Sequence, residues 1–376
     1  MTSAPASPVR IVMPAGVHDP ATPSGGNAYD RRVCAELPRL GRPVDEQTVP
    51  GGWPRPGAAA LAALTRVLRE SPDGSLVLLD GLVACAAPDV VVPEAESGRL
   101  RLAVLVHLPL ADETGLDPDE AAALDAAERR TLRAVPTVLA TSDWAAGRLV
   151  EHHGLDRRRV HVAAPGADPA PPSRGSAGEA AEAAPRLLCV ASVTPRKGQY
   201  ELVEALAAVS DLPWDCECVG GLGQDPAYVS RLRALIAEHG LADRVRLVGP
   251  RTPGPELDAY YDSADLLVLA SHAETYGMVV TEALARGIPV LATAVGGLPE
   301  AVGRAPGGDV PGTLVRPDDR LALTAALRHW LGDPGERNRA RTAAHARRDA
   351  LAGWDATARG VAAALDRLRE DSRETA

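Results

Sequence analysis

Residues 264–302 read ADLLVLASHAETYGMVVTEALARGIPVLATAVGGLPEAV. The opening ADLLVLAS is the unbroken apolar run of a strand buried on both faces, and MVVTEALARG has helix-forming composition closed by Gly287. A second apolar run, IPVLATA, follows, so the order strand, helix, strand predicts a parallel sheet covered by helices. The loop before the helix leaves the first helical N–H groups, near Tyr276 to Val279, without intrahelical partners and with the positive end of the helix dipole behind them. An anionic or polyhydroxyl ligand suits that place. Glu274 precedes the helix and Glu282 lies about a turn inside it, an axial offset of roughly 6 to 9 Å at about 1.5 Å per residue, so the two carboxylates can grip two parts of one ligand.

The same alternation runs through the chain on both sides of this stretch. The first half holds VRIVMPAG, SLVLLDG, LRLAVLVHLP, VPTVLATS and VHVAAPG, and the second holds PRLLCVASV, DCECVGG, RVRLVG, ADLLVLAS, IPVLATA and GTLVRP, each followed by a helical pattern or a turn. A chain of 376 residues exceeds the size at which one core usually stops growing. The expectation is two Rossmann-like, doubly wound α/β domains, 1–166 and 186–353. Between them 167–185 collects Pro, Ser, Gly and Glu as an exposed linker does, and the helical segment 354–376 is expected to cross back to the first domain. Two open α/β sheets predict ligands at the carboxyl ends of the strands, in the cleft between domains.

Composition narrows the function classes. A formal net charge of -10 argues against a partner bound through phosphate neutralisation over a broad surface, so no nucleic acid is expected and any phosphate site is local. The five cysteines lack paired metal spacing, which fits a reduced cytoplasmic protein. The first thirty residues lack the pattern of a signal peptide, and no stretch approaches a membrane span, so stable membrane insertion is not expected.

For Glu274 and Glu282 the rival chemistry is that of a glycosidase, whose paired carboxylates flank one bond but come from separate strand ends and need no phosphate-binding helix. Holding hydroxyls fits better, although either glutamate alone would pass for a solvated side chain. HAETYGMVVTEALARGIPVLATAVGGLPEAV resembles the signature of the retaining, nucleotide-sugar-dependent glycosyltransferases of family 4, which have the GT-B fold: a Glu, seven residues, a second Glu, an apolar strand and a G-G-x-P-E turn. The resemblance covers about thirty residues closely, and the order of elements agrees across most of the chain. It implies that Glu274 contacts hydroxyls of the donor sugar, that Glu282 binds the nucleotide ribose, and that the backbone N–H groups of Thr275, Tyr276, Gly277 and Met278 hold sugar and diphosphate between them.

Other pieces fall around the same expectation. Arg196 and Lys197 arrive together in the loop of ASVTPRKGQYELVEAL, where two cations can neutralise a diphosphate, and the resemblance implies a basic pair there that acts on the leaving phosphates. Gly25 and Gly26 lie between a strand and a helix but lack the full G-x-G-x-x-G spacing; the resemblance implies a glycine loop here, with Asn27, approaching the donor phosphates. It also implies a histidine, His107, lining the reaction centre, backbone at Gly220 and Gly221 close to the nucleotide, and Arg251 near the base. Asp80, ending SLVLLDG, is a candidate for orienting an acceptor hydroxyl, with a turn role as the alternative. Asp117 and Asp119 form a D-P-D that reads as a helix cap rather than a metal motif, and Glu151, His152 and His153 make no H-E-x-x-H pair and end a helix.

The expectation is thus a retaining transferase for a nucleotide diphosphate sugar, UDP- or GDP-linked, and a small-molecule acceptor, with no metal and no cofactor; family members are described with a same-face substitution in which a donor phosphate oxygen takes the acceptor's proton. Secondary metabolism is the favoured setting, and the oligomeric state is left open. A nucleotide-sugar epimerase or a phosphorylase of related fold and a non-transferase nucleotide-binding protein are the alternatives.

Overall fold

The structure, a computed structural model, describes residues 7–19, 24–113, 115–176 and 183–374. The chain folds into two compact units, Met1–Gly166 with Trp354–Ala376, and Ala167–Gly353. Each is built on one six-stranded, fully parallel sheet.

In the first unit the strands are β1 (Val9–Pro14), β2 (Val44–Val49), β3 (Leu76–Asp80), β4 (Arg101–Val106), β5 (Thr137–Ala140) and β6 (Val160–Val162), in spatial order β2-β1-β3-β4-β5-β6. The apolar runs of β3 and β5 are buried at every residue because helices cover both faces. The edge strand β2 carries Asp45, Glu46 and Gln47, polar side chains suited to an edge open to solvent. The chain leaves β1 toward one edge and returns to start β3 on the other side, so the loops after β1 and β3 flank a switch point.

The second unit has β7 (Arg186–Val190), β8 (Asp215–Val219), β9 (Val245–Gly249), β10 (Leu266–Leu269), β11 (Val290–Thr293) and β12 (Gly312–Val315), in order β12-β11-β10-β7-β8-β9. Here the reversal falls between β7 and β10, which places the loops 191–198 and 270–277 side by side at the carboxyl ends of neighbouring strands. DCECV of β8 sends Cys216 and Cys218 inward and keeps Asp215 and Glu217 half-buried, the period-two pattern of a strand. All five cysteines are free and buried.

The stretch expected as an exposed linker, 167–185, is instead held to the second unit over 167–176. Ser173 donates to the carbonyls of Asp262 (3.0 Å) and Ala264 (2.8 Å), and the Ser176 N–H reaches Asp265 (3.1 Å). A Pro- and Ala-rich composition with scattered Ser and Gly signals missing periodicity, and backbone and hydroxyl groups can still be satisfied by a neighbouring loop. Residues 177–182 of that stretch lie outside those described.

The helix Trp354–Glu374 packs in the first unit through Trp354, Ala358, Val361, Leu365 and Leu368, an apolar stripe at helical spacing. Trp354 stands edge-on to Tyr29 at 5.7 Å between centroids, and Thr357 donates to the Ala164 carbonyl at 2.8 Å. No described helix is long and apolar enough to cross a membrane. Trp354→Ala should destabilise the first unit by roughly 3 to 5 kcal/mol, seen as an earlier first transition in a urea melt followed by circular dichroism; an unchanged melt would show that the helix docks without it.

Candidate functional site

The loops at the switch point of the second unit are joined backbone to backbone. His272 donates its N–H to the Arg196 carbonyl at 2.8 Å, and a Cβ on Gly198, whose φ is +65°, would fall 1.9 Å from the Ala270 oxygen. Only glycine permits that approach. Across the junction Lys197 Nζ meets Glu274 Oε1 at 2.5 Å, with both side chains largely shielded from solvent. Ser271 donates to the same carboxylate oxygen at 3.0 Å, and Thr293, closing β11, donates to the Ser271 carbonyl at 2.5 Å. A carboxylate in this shielded position is thus satisfied by one cation and one hydroxyl.

The G-G-L-P-E turn explains its own composition. Gly296 has φ +55° and lies so close that a Cβ would stand 1.7 Å from the Glu274 oxygen; one on Gly297 would stand 2.2 Å from that of Thr275. The Gly297 N–H donates back to the Glu274 carbonyl at 3.0 Å. The turn is therefore the backing that sets the path of residues 274–276. Beyond it Gly277, at φ +91°, caps the seven-residue helix Met278–Leu284 and lends no side chain to its first turn. Thr275, Gly277 and Met278 are half-buried along this path, and Tyr276, also half-buried, has its phenol pushed up by burial.

Glu282 sits in that helix one turn past its start. Its Oε2 accepts from Tyr261 Oη at 2.7 Å, and Arg286, whose guanidinium lies 4.6 Å over the Tyr261 ring, also donates to the Glu282 carbonyl at 2.9 Å. Burial raises the Glu282 carboxyl above the usual range, with the Tyr261 hydrogen bond and the Arg286 charge working against it. Burial and the same carboxylate push the Tyr261 phenol far up, so it remains a donor.

The remaining second-unit candidates surround this core. Arg196 donates to the Ala273 carbonyl at 3.3 Å, while its buried Nε has no partner among the described residues. The Gly221 carbonyl accepts from Val193 at 2.8 Å, and a Cβ on Gly220 would meet the Ala191 oxygen at 2.0 Å, so β8 ends tight against the Arg196 loop. Arg251 bonds the neighbouring Pro250 carbonyl at 2.9 Å, and its guanidinium lies 5.7 Å from the Tyr260 ring. A hollow of about 600 Å³ lined by Arg196, Tyr200, Tyr228, Arg231 and His272, and another of about 840 Å³ beyond His272 and Thr293, border the junction. Neither is lined by Lys197 or Glu274; the two hollows meet at Glu201 and His272, which line both.

In the first unit, Ser24 caps the helix Gly25–Glu36 by accepting from the Asn27 N–H at 3.0 Å, and Asn27 Nδ2 donates to the Gly16 carbonyl at 3.4 Å. Gly25 opens the helix; a Cβ on Gly26 would come 3.1 Å from the ring of His107. His107 Nε2 lies 2.8 Å from Asp30 Oδ1. Asp80 is buried and its Oδ1 accepts from the Leu82 N–H at 2.6 Å, the contact of a turn aspartate. Asp117 caps its helix through the Glu120 N–H at 2.8 Å, with Pro118 in the first turn.

Sequence reasoning missed three partners: Tyr261, which steadies Glu282; Ser271, which shares Glu274; and Asp30, which faces His107. Ser271 is three residues from its partner and could have been suspected; Tyr261 and Asp30 meet theirs only through the fold. Ligand-type atoms gather within 4.8 Å at Asp30, Asp80 and His107 and again at Asp125, His152 and His153. In the second group His152 already bonds Asp125 and buried His153 faces Glu128 at 3.2 Å, both at the end of the helix Asp143–His153.

Residues 176–347 match the model of a family described as glycosyl transferases group 1. Every second-unit residue of the site lies inside that match. Among curated relatives, D-inositol 3-phosphate glycosyltransferase of Xylanimonas cellulosilytica is 37% identical over 254 residues, 64% of this chain and 58% of the relative. The protein of that name from Kineococcus radiotolerans is 34% identical over 273 residues, 68% of this chain and 62% of the relative. The chain thus spans less than two thirds of these relatives' lengths. Among solved structures, sucrose-phosphate synthase (tll1590) from Thermosynechococcus elongatus aligns with a TM-score of 0.77 at 22% identity, covering 96% of this chain and 99% of that one. Anabaena Alr3699/HepE in complex with UDP and glucose aligns with a TM-score of 0.71 at 18% identity, covering 95% and 99%. The fold is GT-B, as the sequence led one to expect.

Gly296→Ala should cost at least about 2 kcal/mol, because the left-handed φ and the clash with the Glu274 backbone add. A lowered melting temperature with the first unit's transition unmoved is the expected result, and an unshifted melt would show that the turn does not brace residues 274–276.

Proposed function

We propose that the chain is a glycosyltransferase that moves a sugar from a UDP- or GDP-linked donor to a small, hydroxyl-bearing acceptor with retention at the anomeric carbon, acting in the cytoplasm and in secondary metabolism. One observation carries the reading: Lys197 and Glu274 meet at 2.5 Å where two strand-end loops adjoin, with Glu282 eight residues along the same path. A ligand that offers both phosphates and hydroxyls lets each partner of that pair exchange the other for a better one. Lys197 and Arg196 turn to the diphosphate, Glu274 accepts from hydroxyls of the sugar, and Glu282, steadied by Tyr261, accepts from the ribose. The exchange leaves neither charge without a partner, which a shielded site requires. The family match over 176–347 supports the class of reaction, and UDP in a protein of the same fold supports the class of donor.

As the bond between sugar and phosphate breaks, negative charge grows on the leaving diphosphate. Lys197 and Arg196 then interact more strongly than in the ground state, and this difference accelerates the reaction. The acceptor's proton passes to a donor phosphate oxygen on the same face, a route that asks for no protein nucleophile and no metal. The acceptor class is a small polyol or its phosphate, by analogy with the relatives' names.

Glu274→Ala and Lys197→Ala should each lower turnover by roughly a hundredfold or more with folding intact. The assay is mass spectrometry of products from UDP- and GDP-sugars with inositol phosphates and a cell extract as acceptors. Near-normal rates in the purified variants would remove both residues from the site, and conversion of the donor without any acceptor would favour an epimerase. In thermal-shift measurements UDP or GDP should stabilise the protein and NAD should not.

Tyr261→Phe removes the donor that holds down the Glu282 carboxyl, so that carboxyl should rise further. Affinity for UDP should fall by roughly tenfold or more, as expected for one lost hydrogen bond to a charged group, with kcat little changed. An unaltered calorimetric Kd would detach Glu282 from the ribose.

A further inference from the structure

Three titratable side chains meet in the first unit away from the Lys197–Glu274 junction: Asp30 on the helix Gly25–Glu36, Asp80 at the end of β3 and His107 just past β4. Each offers an oxygen or nitrogen within 4.8 Å of the others. Asp30 and Asp80 are almost fully buried, 3% and 6% exposed. Asp30 Oδ1 is taken by His107 Nε2 at 2.8 Å, whereas Asp30 Oδ2 is buried with no hydrogen-bond partner among the described residues. Asp80 Oδ1 is taken by the Leu82 N–H. Two buried carboxylates this close cannot both ionise cheaply, and a proton on Asp80 gives the bare Asp30 oxygen the donor it lacks.

The ring of His107 is fixed on its other sides by packing. Its Cδ2 edge faces Gly26, where even a methyl group would stand only 3.1 Å away, and Tyr29 stands edge-on with centroids 5.1 Å apart. Tyr29 is itself tied to the Ala163 carbonyl at 2.8 Å and abuts Trp354. The remaining ring nitrogen is Nδ1.

We propose that Asp30 is the positioning residue of His107, and that Asp80 serves it by holding a proton rather than by meeting an acceptor. Asp30 grips Nε2, Asp80 donates its proton in a hydrogen bond to Asp30, and the trio settles as imidazolium, carboxylate and carboxylic acid with no net charge. His107 then presents a fixed, cationic Nδ1–H, which donates a hydrogen bond and does not take up a proton. On the functional reading above, that makes His107 a hydrogen-bond donor to an oxygen of donor or acceptor and excludes it as the general base, in keeping with a reaction whose proton leaves through the donor phosphate.

The electrostatics agree in direction. Burial alone lowers the His107 imidazole, yet the Asp30 charge and hydrogen bond, helped by Asp80, carry it up to about 9. Burial first, and the Asp30 charge second, push the Asp80 carboxyl well above the usual range. Among the described residues no other charged group bears on the ring: Tyr29 from the same helix is a neutral phenol, its ionisation pushed far up by burial, and Trp354 carries no charge. An imidazole raised in the folded state contributes stability that is complete below the ordinary value of 6.5 and is lost as pH climbs through about 9.

The test is nuclear magnetic resonance titration of histidine ring-labelled full-length protein, with His107 assigned by loss of its signal in His107→Gln. The wild type should titrate with a midpoint near 9. Asp30→Asn should drop that midpoint by more than about one unit, the shift expected on losing a hydrogen-bonded countercharge. Asp80→Asn, which reproduces a protonated acid, should leave it within about half a unit and raise the melting temperature, because the burial cost of an ionisable Asp80 is gone. With UDP-glucose as the donor probe, Asp30→Asn should lose turnover as pH rises through the lowered midpoint, while Asp80→Asn keeps a profile parallel to the wild type.

A wild-type midpoint near 6.5, or one that Asp30→Asn leaves in place while only the melting temperature falls, would reduce Asp30 to a structural residue and overturn the proposal. If Asp30→Asn does not fold, the wild-type and Asp80→Asn titrations still decide the matter. Because the titrations need no substrate, a protein that passes them but turns over no nucleotide sugar would refute the transferase reading and leave the trio standing.

Discussion

A shielded carboxylate has to find its counter-charge within reach, and in the second unit Glu274 finds it in Lys197 across a gap that only the topology closes. The two residues are 77 positions apart in sequence. They meet because the order β11-β10-β7-β8 sets the ends of β10 and β7 next to each other, and because Gly198 lets the loops touch backbone to backbone. Ser271 and Thr293 extend the same hydrogen-bonded line to the end of β11, so one ion pair ties three strand ends together. An ion pair at such a junction is a reserve of binding capacity as much as a stabilising contact, since both of its members can turn to a ligand of mixed charge and polarity.

Glycine does the same work at both sides of this junction. Gly198 and Gly296 remove side chains where backbones must pass within touching distance, and both hold a left-handed conformation. The effect is a loop, 274–276, whose path is set by neighbours rather than by its own side chains. Rigid placement of a carboxylate by backbone packing is the kind of preorganisation that electrostatic catalysis depends on.

The first unit solves a similar problem with another device. It buries two acids against one imidazole, one oxygen of Asp30 facing His107 and the other left without a partner among the described residues. That arrangement depends on three separate elements, the helix after β1, the end of β3 and the end of β4, which the sheet order β1-β3-β4 makes neighbours. Both units therefore gather their polar groups at a switch point, as open parallel sheets tend to do.

The fold class was legible because a strand buried on both faces must be apolar throughout and a covering helix must repeat at its own period; both patterns are local. The glutamates, the basic pair and the two glycine turns could be picked out for the same reason, since each lies within one loop and its flanking elements. The segment 167–176 misled, because composition records only the want of periodicity and Ser173 and Ser176 found partners on another loop. Asp80 stayed open between two roles because a turn aspartate looks alike whether it caps a helix or greets a ligand. What only the tertiary structure decided was pairing: Lys197 with Glu274, Tyr261 with Glu282, Asp30 with His107. A side chain's type is written in the sequence, but its charge partner, its burial and hence its protonation depend on which strand ends the sheet order brings together, and nothing in the spacing of residues along the chain encodes that distance.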